Sequence, residues 1–218
     1  MRKLIAVLIT LALGGFVATA QASPINSAYS VNIWNFDCGS CSISSAAEQA
    51  LPTNPETSNA ADYSFTYTGP IAFDATAATI GNFLNSGGGS ISGLTASELS
   101  ALDSTTLSTG SFGTTTLMQF TGYANRDAFG VISHDDGISL FQGGSNLVPL
   151  SASVPTTEAN TNYNLGVGNF DLWYVEANGL PAVLNMTANP VPEPSGLVIL
   201  GMGLVLIGFV ARRHYKSS

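Results

Sequence analysis

Two adjacent carboxylates stand at the centre of Ser133-His134-Asp135-Asp136-Gly137, inside a run from Phe129 to Val148. An Asp-Gly step between alternating apolar runs, Phe129/Val131 before it and Ile138/Leu140/Phe141 after it, predicts a β-hairpin. Gly137 would supply positive φ there and an Asp oxygen would bond nearby amides, so on this pattern alone both acids serve the turn. His134 is the one histidine outside the C-terminal tail. Neither a Gly-x-Ser-x-Gly elbow nor a His-Glu-x-x-His pair occurs, so hydrolase triads and zinc peptidases lack their usual frames. Paired carboxylates of the glycosidase kind are defined by spatial separation, which sequence spacing does not give; with charged residues at 9% of the chain, an enzyme is not the expectation.

The only cysteines, Cys38 and Cys41, are spaced Cys-Gly-Ser-Cys. In an oxidising compartment they are expected to close a small local disulfide. A redox motif would want βαβ surroundings, and zinc would want two further soft ligands; the sequence offers neither.

Charge and hydropathy give the chain an address. Met1-Arg2-Lys3, the apolar run Leu4 to Val17 and the small-x-small steps around Ala20 read as a signal peptide over residues 1–22. Leu197 to Ala211 is apolar and is followed by Arg212, Arg213, His214 and Lys216, a membrane-stop pattern that keeps the basic tail cytoplasmic. Just before it stands Val191-Pro192-Glu193-Pro194. Motif, short span and basic end, in this order over residues 189–218, resemble the PEP-CTERM sorting signal of exported bacterial proteins. The resemblance implies an exosortase-type processing enzyme as partner, a transient membrane anchor, and final residence at the cell surface or in the extracellular matrix. Between Lys3 and Arg212 the only cation is Arg126, set against all 14 acids. Phosphate binding needs clustered Lys and Arg, so nucleic acid is excluded as a partner, while an acidic exported body suits contact with divalent cations.

The elements expected to position these residues are mostly strands. Val31, Ile33 and Trp34 mark a first strand, Ser30 to Phe36; Tyr63, Phe65 and Tyr67 put three aromatics on one strand face. Ser45-Ala46-Ala47-Glu48 and Thr95-Ala96-Ser97-Glu98 read as capping boxes opening short helices, and Thr53 to Ala60 as loop. The triple glycine Gly87 to Gly89 reads as a flexible surface loop. Further strands are expected over 114–124, 128–133, 137–142, 169–176 and 181–186. Along Phe170 to Glu176, Phe170, Leu172 and Tyr174 share one face and Asp171, Trp173 and Val175 the other. Trp173 then either packs under a second layer or offers a platform to a sugar ring. The fold class is mainly β: an antiparallel sandwich or barrel over residues 23–188 with a few short helices, flanked by the signal helix and one C-terminal transmembrane helix.

Residues 115–186 resemble the lectin-like β-domain named for the anthrax protective antigen and shared by flocculins and adhesins. The matching pieces, in order, are Phe120-Thr121-Gly122-Tyr123, then Phe129 to Phe141, then Gly168 to Gly179. In adhesin members the paired Asp residues before the Gly coordinate calcium across a cis peptide, and the ion holds vicinal sugar hydroxyls. The resemblance implies calcium ligation by Asp135 and Asp136. Glu176 stands nearest the position of the family's second-loop amide ligand, with Asn178 two residues further on. The function implied is calcium-dependent glycan or exopolysaccharide binding by a surface or matrix protein; a purely structural envelope domain is the alternative.

Overall fold

The computed structural model describes residues 23–190, apart from residue 77. All but Pro190 fall in the compact unit Ala22–Asn189. The expected signal peptide, the expected sorting motif Val191 to Pro194 and the expected membrane-stop residues Arg212 and Arg213 lie outside the described residues. Among the described residues no helix is long and apolar enough to cross a membrane.

The expected alternation builds two sheets. The larger centres on β2 (Asn26–Asp37), which pairs antiparallel with β3 (Tyr63–Pro70) on one side and with β6 (Thr114–Ala124) on the other. Beyond β6 it continues through β11 (Gly168–Glu176), β8 (Gly137–Gln142) and the short β9 (Ser145–Asn146); β5 (Ser90–Ser92) extends it past β3. The smaller sheet runs β1 (Ser23–Pro24), β12 (Ala182–Pro190), β7 (Ala128–Asp135), β10 (Ala159–Leu165), with β4 (Ala72–Ala75) also on β12.

Period-two patterning puts every second residue of the large sheet inward. Tyr29, Val31 and Ile33, Met118 and Phe120, and Phe170, Leu172 and Tyr174 meet Ile132, Leu184 and Met186 of the small sheet in one buried cluster. The opposite face of the large sheet holds a second, smaller core, in which the Trp34 and Trp173 rings stack at 5.9 Å under the segment that carries Ala50 and Ala61. A sandwich with one additional covered patch is therefore the architecture.

Helix α1 (Ile80–Ser86) has no counterpart among the elements expected from the sequence. Thr79 caps it through the Asn82 amide, and Ile80, Phe83 and Leu84 reach the core at helical spacing; two turns are too short to display a period in sequence. Gly87 ends this helix and is buried, and a Cβ on Gly89 would lie 2.4 Å from the Tyr67 ring, so these glycines permit close packing instead of a flexible loop. Helix α2 (Ala96–Ser104) has the full Thr95/Glu98 capping box read from the sequence. The Ser45/Glu48 box does not form: Ala46–Glu48 is a single 3-10 turn without a Ser45 cap, because the Glu48 side chain is buried and bonded by Thr115. Pro55–Ser58, expected as loop, is likewise a 3-10 turn, capped by Asn54.

The acidic turn is not a hairpin. β7 and β8 do not pair with each other: β7 pairs β10 in the small sheet, and β8 pairs β11 in the large one. Asp135-Asp136-Gly137 is a corner at which the chain leaves one sheet for the other. Gly137 has no positive φ. It is required because a Cβ there would lie 2.4 Å from the Ser153 carbonyl oxygen, so the Asp-Gly step is explained by close approach, not by turn conformation.

Candidate functional site at the acidic corner

Asp136 is fully buried, and both its oxygens are occupied by backbone amides from two other segments. Oδ1 accepts from Thr156 at 3.0 Å; Oδ2 accepts from Ala177 at 2.8 Å and Asn178 at 2.9 Å. These amides belong to the segment leading into β10 and to the loop between β11 and β12, so one carboxylate fastens both to the corner. The peptide between Asp135 and Asp136 is cis. Burial pushes the Asp136 carboxyl up, and the three amides oppose that shift.

Beside it lies a connected set of buried groups. Tyr174 Oη donates to the Asp135 carbonyl and also lies 2.6 Å from Glu176 Oε2. Ser108 donates to Glu176 Oε1 at 3.0 Å and accepts from the Gly179 amide at 3.0 Å. A hydroxyl has one proton. With the Tyr174 proton given to the Asp135 carbonyl, the 2.6 Å contact is satisfied by a protonated Glu176. Burial first, then the Asp136 charge, pushes the Glu176 carboxyl up to about 9, so it holds that proton at neutral pH. His134 is buried as well, with Nδ1 2.5 Å from the Asp136 carbonyl and Nε2 2.8 Å from Thr161 Oγ1. A carbonyl only accepts, so Nδ1 carries the ring proton; desolvation lowers the His134 pKa and keeps the ring neutral.

Asp135 is the acid of the corner that the network leaves least committed. It is 6% exposed, and burial, Asp136 and Glu158 in that order push its carboxyl up to about 6. Asn178 is exposed; its backbone amide serves Asp136 and its side-chain nitrogen reaches Thr156 O at 3.5 Å. The structure thus links Asp135, Asp136, Glu176 and Asn178 in one hydrogen-bonded network, with Glu176 and Asp136 already satisfied, but the carboxylate oxygens of the three acids do not converge within 4.8 Å of one another. The donor set suits calcium chemically: hard carboxylate and carbonyl oxygens, raised carboxyl pKa values, and a domain whose only cation, Arg126, is exposed on the turn between β6 and β7.

Trp173 is 5% exposed, its ring face covered by Trp34, so it does not lie open as a free-standing platform. Cys38 and Cys41 are joined as a disulfide. With the carboxylate of Glu48 they form the one set of three such side chains whose ligand atoms lie within 4.8 Å among the described residues, but the sulfurs are committed to each other. Burial pushes Glu48 up to about 7, against the lowering effect of the Thr115 hydroxyl. Ser108, Thr156 and Tyr174 were not legible as site residues. Tyr174 reads as a core aromatic from its strand face, and the other two enter the corner only through long-range folding.

No protein-family model and no curated protein matches the chain. Among solved structures, a PA14 sugar-binding domain from an RTX adhesin is similar at 14% identity and a TM-score of 0.49, over 75% of this chain and 89% of that one. The PA14 domain of the antifreeze protein MpAFP is similar at 10% identity and a TM-score of 0.48, over 81% of this chain and 90% of that one.

Proposed function

We propose that this chain is an exported bacterial surface or matrix protein, sorted through its C-terminal segment, whose β-sandwich binds glycan, with the acidic corner as a weak calcium site. The observation that supports the calcium reading is the adjacent pair of buried acids, Asp135 and Asp136, with no basic side chain from the domain's one arginine beside them. Asp135, Asp136 and the Asn178 loop would hold the ion, which would supply positive charge to acids that burial now penalises and free coordination positions for vicinal hydroxyls. Asp136 must share its oxygens with three amides, so the affinity expected is that of extracellular modules, a Kd of about 10⁻⁴–10⁻³ M. Calorimetric titration of calcium into the full-length chain tests this. A heat of binding that disappears in Asp135→Asn is the expected result; no heat, and no change in Tm between calcium and EDTA, removes the calcium from the reading.

A second reading is favoured by one specific observation, the three amides on Asp136. On that reading the corner is a latch between segments, and the domain is a structural component of the envelope. It requires that Asp135→Asn leave calcium response, glycan retention and surface assembly unchanged.

A further inference from the structure

Strand register places a second set of chemically apt groups on the outer face of the large sheet. Gln119, Thr121 and Tyr123 of β6 stand opposite Trp173, Asp171 and Asn169 of β11, and Phe141 of β8 stands opposite Asp171. Trp173, Asp171, Asn169, Gln119 and Phe141 line an open hollow of about 430 Å³, bordered by Pro52 and the Gly143-Gly144 turn. That volume falls among small-ligand sites, which run from ~300 to 1,000 Å³. Tyr123 is 57% exposed beside it, a large aromatic surface that the domain itself does not cover.

The polar groups are fixed yet not used up. Asp171 Oδ1 accepts from Gln119 Nε2 at 3.1 Å and from Thr121 Oγ1 at 2.5 Å, while Oδ2 has no protein donor among the described residues. Gln119 Oε1 is held by Asn32 at 3.2 Å, which orients the amide so that its nitrogen faces Asp171. Gln142 is pinned by both backbone groups of Gly166 at 2.8 Å. The Asn169 side chain is exposed and without a hydrogen bond among the described residues. A free carboxylate oxygen, free amide donors and acceptors, and aromatic surface, all set on strands, match the alternating hydroxyls and apolar ring faces of a pyranose. No basic side chain lines the hollow, so a phosphorylated or carboxylated ligand is disfavoured.

We propose that this face is a calcium-independent binding surface for a neutral saccharide chain, with Tyr123 as the stacking platform and Asp171, Gln119 and Asn169 as the hydroxyl-reading groups. It shares the ligand class proposed above but not the site, so the two can fail separately. The test is titration of the full-length chain, in a detergent that carries no sugar, with cellohexaose, maltohexaose and laminarihexaose, and with polygalacturonate as the anionic probe. Calorimetry and tryptophan fluorescence report binding, Trp173 being one of only two tryptophans. The result expected is binding of a neutral probe that persists in EDTA and weakens about tenfold in each of Tyr123→Ala, Asn169→Ala and Asp171→Asn. Tyr123 and Asn169 are exposed, so their variants keep the test valid even if Asp171→Asn disturbs folding. Binding abolished by EDTA but untouched by Tyr123→Ala and Asn169→Ala overturns this proposal and leaves the corner reading standing. Binding of no neutral probe, or of polygalacturonate alone, overturns it outright.

Discussion

Asp136 shows how one side chain can be worth more as an acceptor than as a charge. Its two oxygens serve the amides of Thr156, Ala177 and Asn178 in a site closed to water. Asp136→Ala would strand those amides, each costing about 1–3 kcal/mol, so a loss of at least ~3 kcal/mol in urea unfolding is expected. Asp136→Asn, which keeps one acceptor oxygen, should lose less. Glu176 makes the opposite prediction. Because the acid is read as protonated at neutral pH, with its carboxyl pushed up to about 9, a carboxamide is its close substitute: oxygen toward Ser108, nitrogen toward Tyr174. Glu176→Gln should therefore stay within about 1 kcal/mol of the parent, whereas Tyr174→Phe, which deprives both the Asp135 carbonyl and Glu176 of a partner, should cost about 1–3 kcal/mol. Unfolding of both variants at pH 7 checks the pair; equal losses would mean that Glu176 is ionised.

At the scale of elements, the corner between β7 and β8 joins the two sheets. Its glycine is a packing requirement: a Cβ on Gly137 meets the Ser153 carbonyl oxygen at 2.4 Å, and that carbonyl also accepts from the Ala50 amide at 2.9 Å. Gly137→Ala would push apart two segments that are held against each other, at the ~1–3 kcal/mol typical of overpacking. Gly143, with φ 58° and open space where a Cβ would go, makes the control: Gly143→Asn should cost under ~1 kcal/mol, since Asn tolerates the left-handed region. Thermal unfolding of the two variants should rank them in that order.

For the whole molecule, four acids with raised carboxyl pKa values, Glu48, Asp135, Asp136 and Glu176, set the direction of pH dependence. Glu48 goes from 4.5 to about 7, Glu176 from 4.5 to about 9, and Asp135 from 3.8 to about 6. Between each unfolded and folded value the native state holds more protons than the unfolded chain, so stability falls as pH rises. The contribution is fully present below about 4 and is lost across the window up to about 9, with most of the Glu48 share gone by pH 7. Tm measured from pH 4 to 9 should decline, and Glu48→Gln should flatten the part between 4.5 and 7. Neutral His134 acts in the opposite sense below its unfolded value, so the deciding readout is the difference between parent and Glu48→Gln: equal slopes over that interval would contradict the protonated state of Glu48.

The residue pattern by itself determined that this is a β protein, where most of its strands run, which face of β11 enters the core, and that the Thr95/Glu98 box opens a helix. Those features depend on neighbours within a few residues, which alternation and capping chemistry report directly. It also singled out Asp135 and Asp136 as residues to watch. Only the tertiary structure decided that their turn is a corner between sheets, because Phe129/Val131 and Ile138/Leu140 alternate identically whether the two strands pair with each other or with β10 and β11. Equally, the partners of the Asp136 and Glu176 carboxyl groups lie between 20 and 68 residues away, except for Tyr174. Buried polar groups take their protonation and their role from such distant partners, so the chemistry of this corner was set by folding and not by the local spelling of the chain.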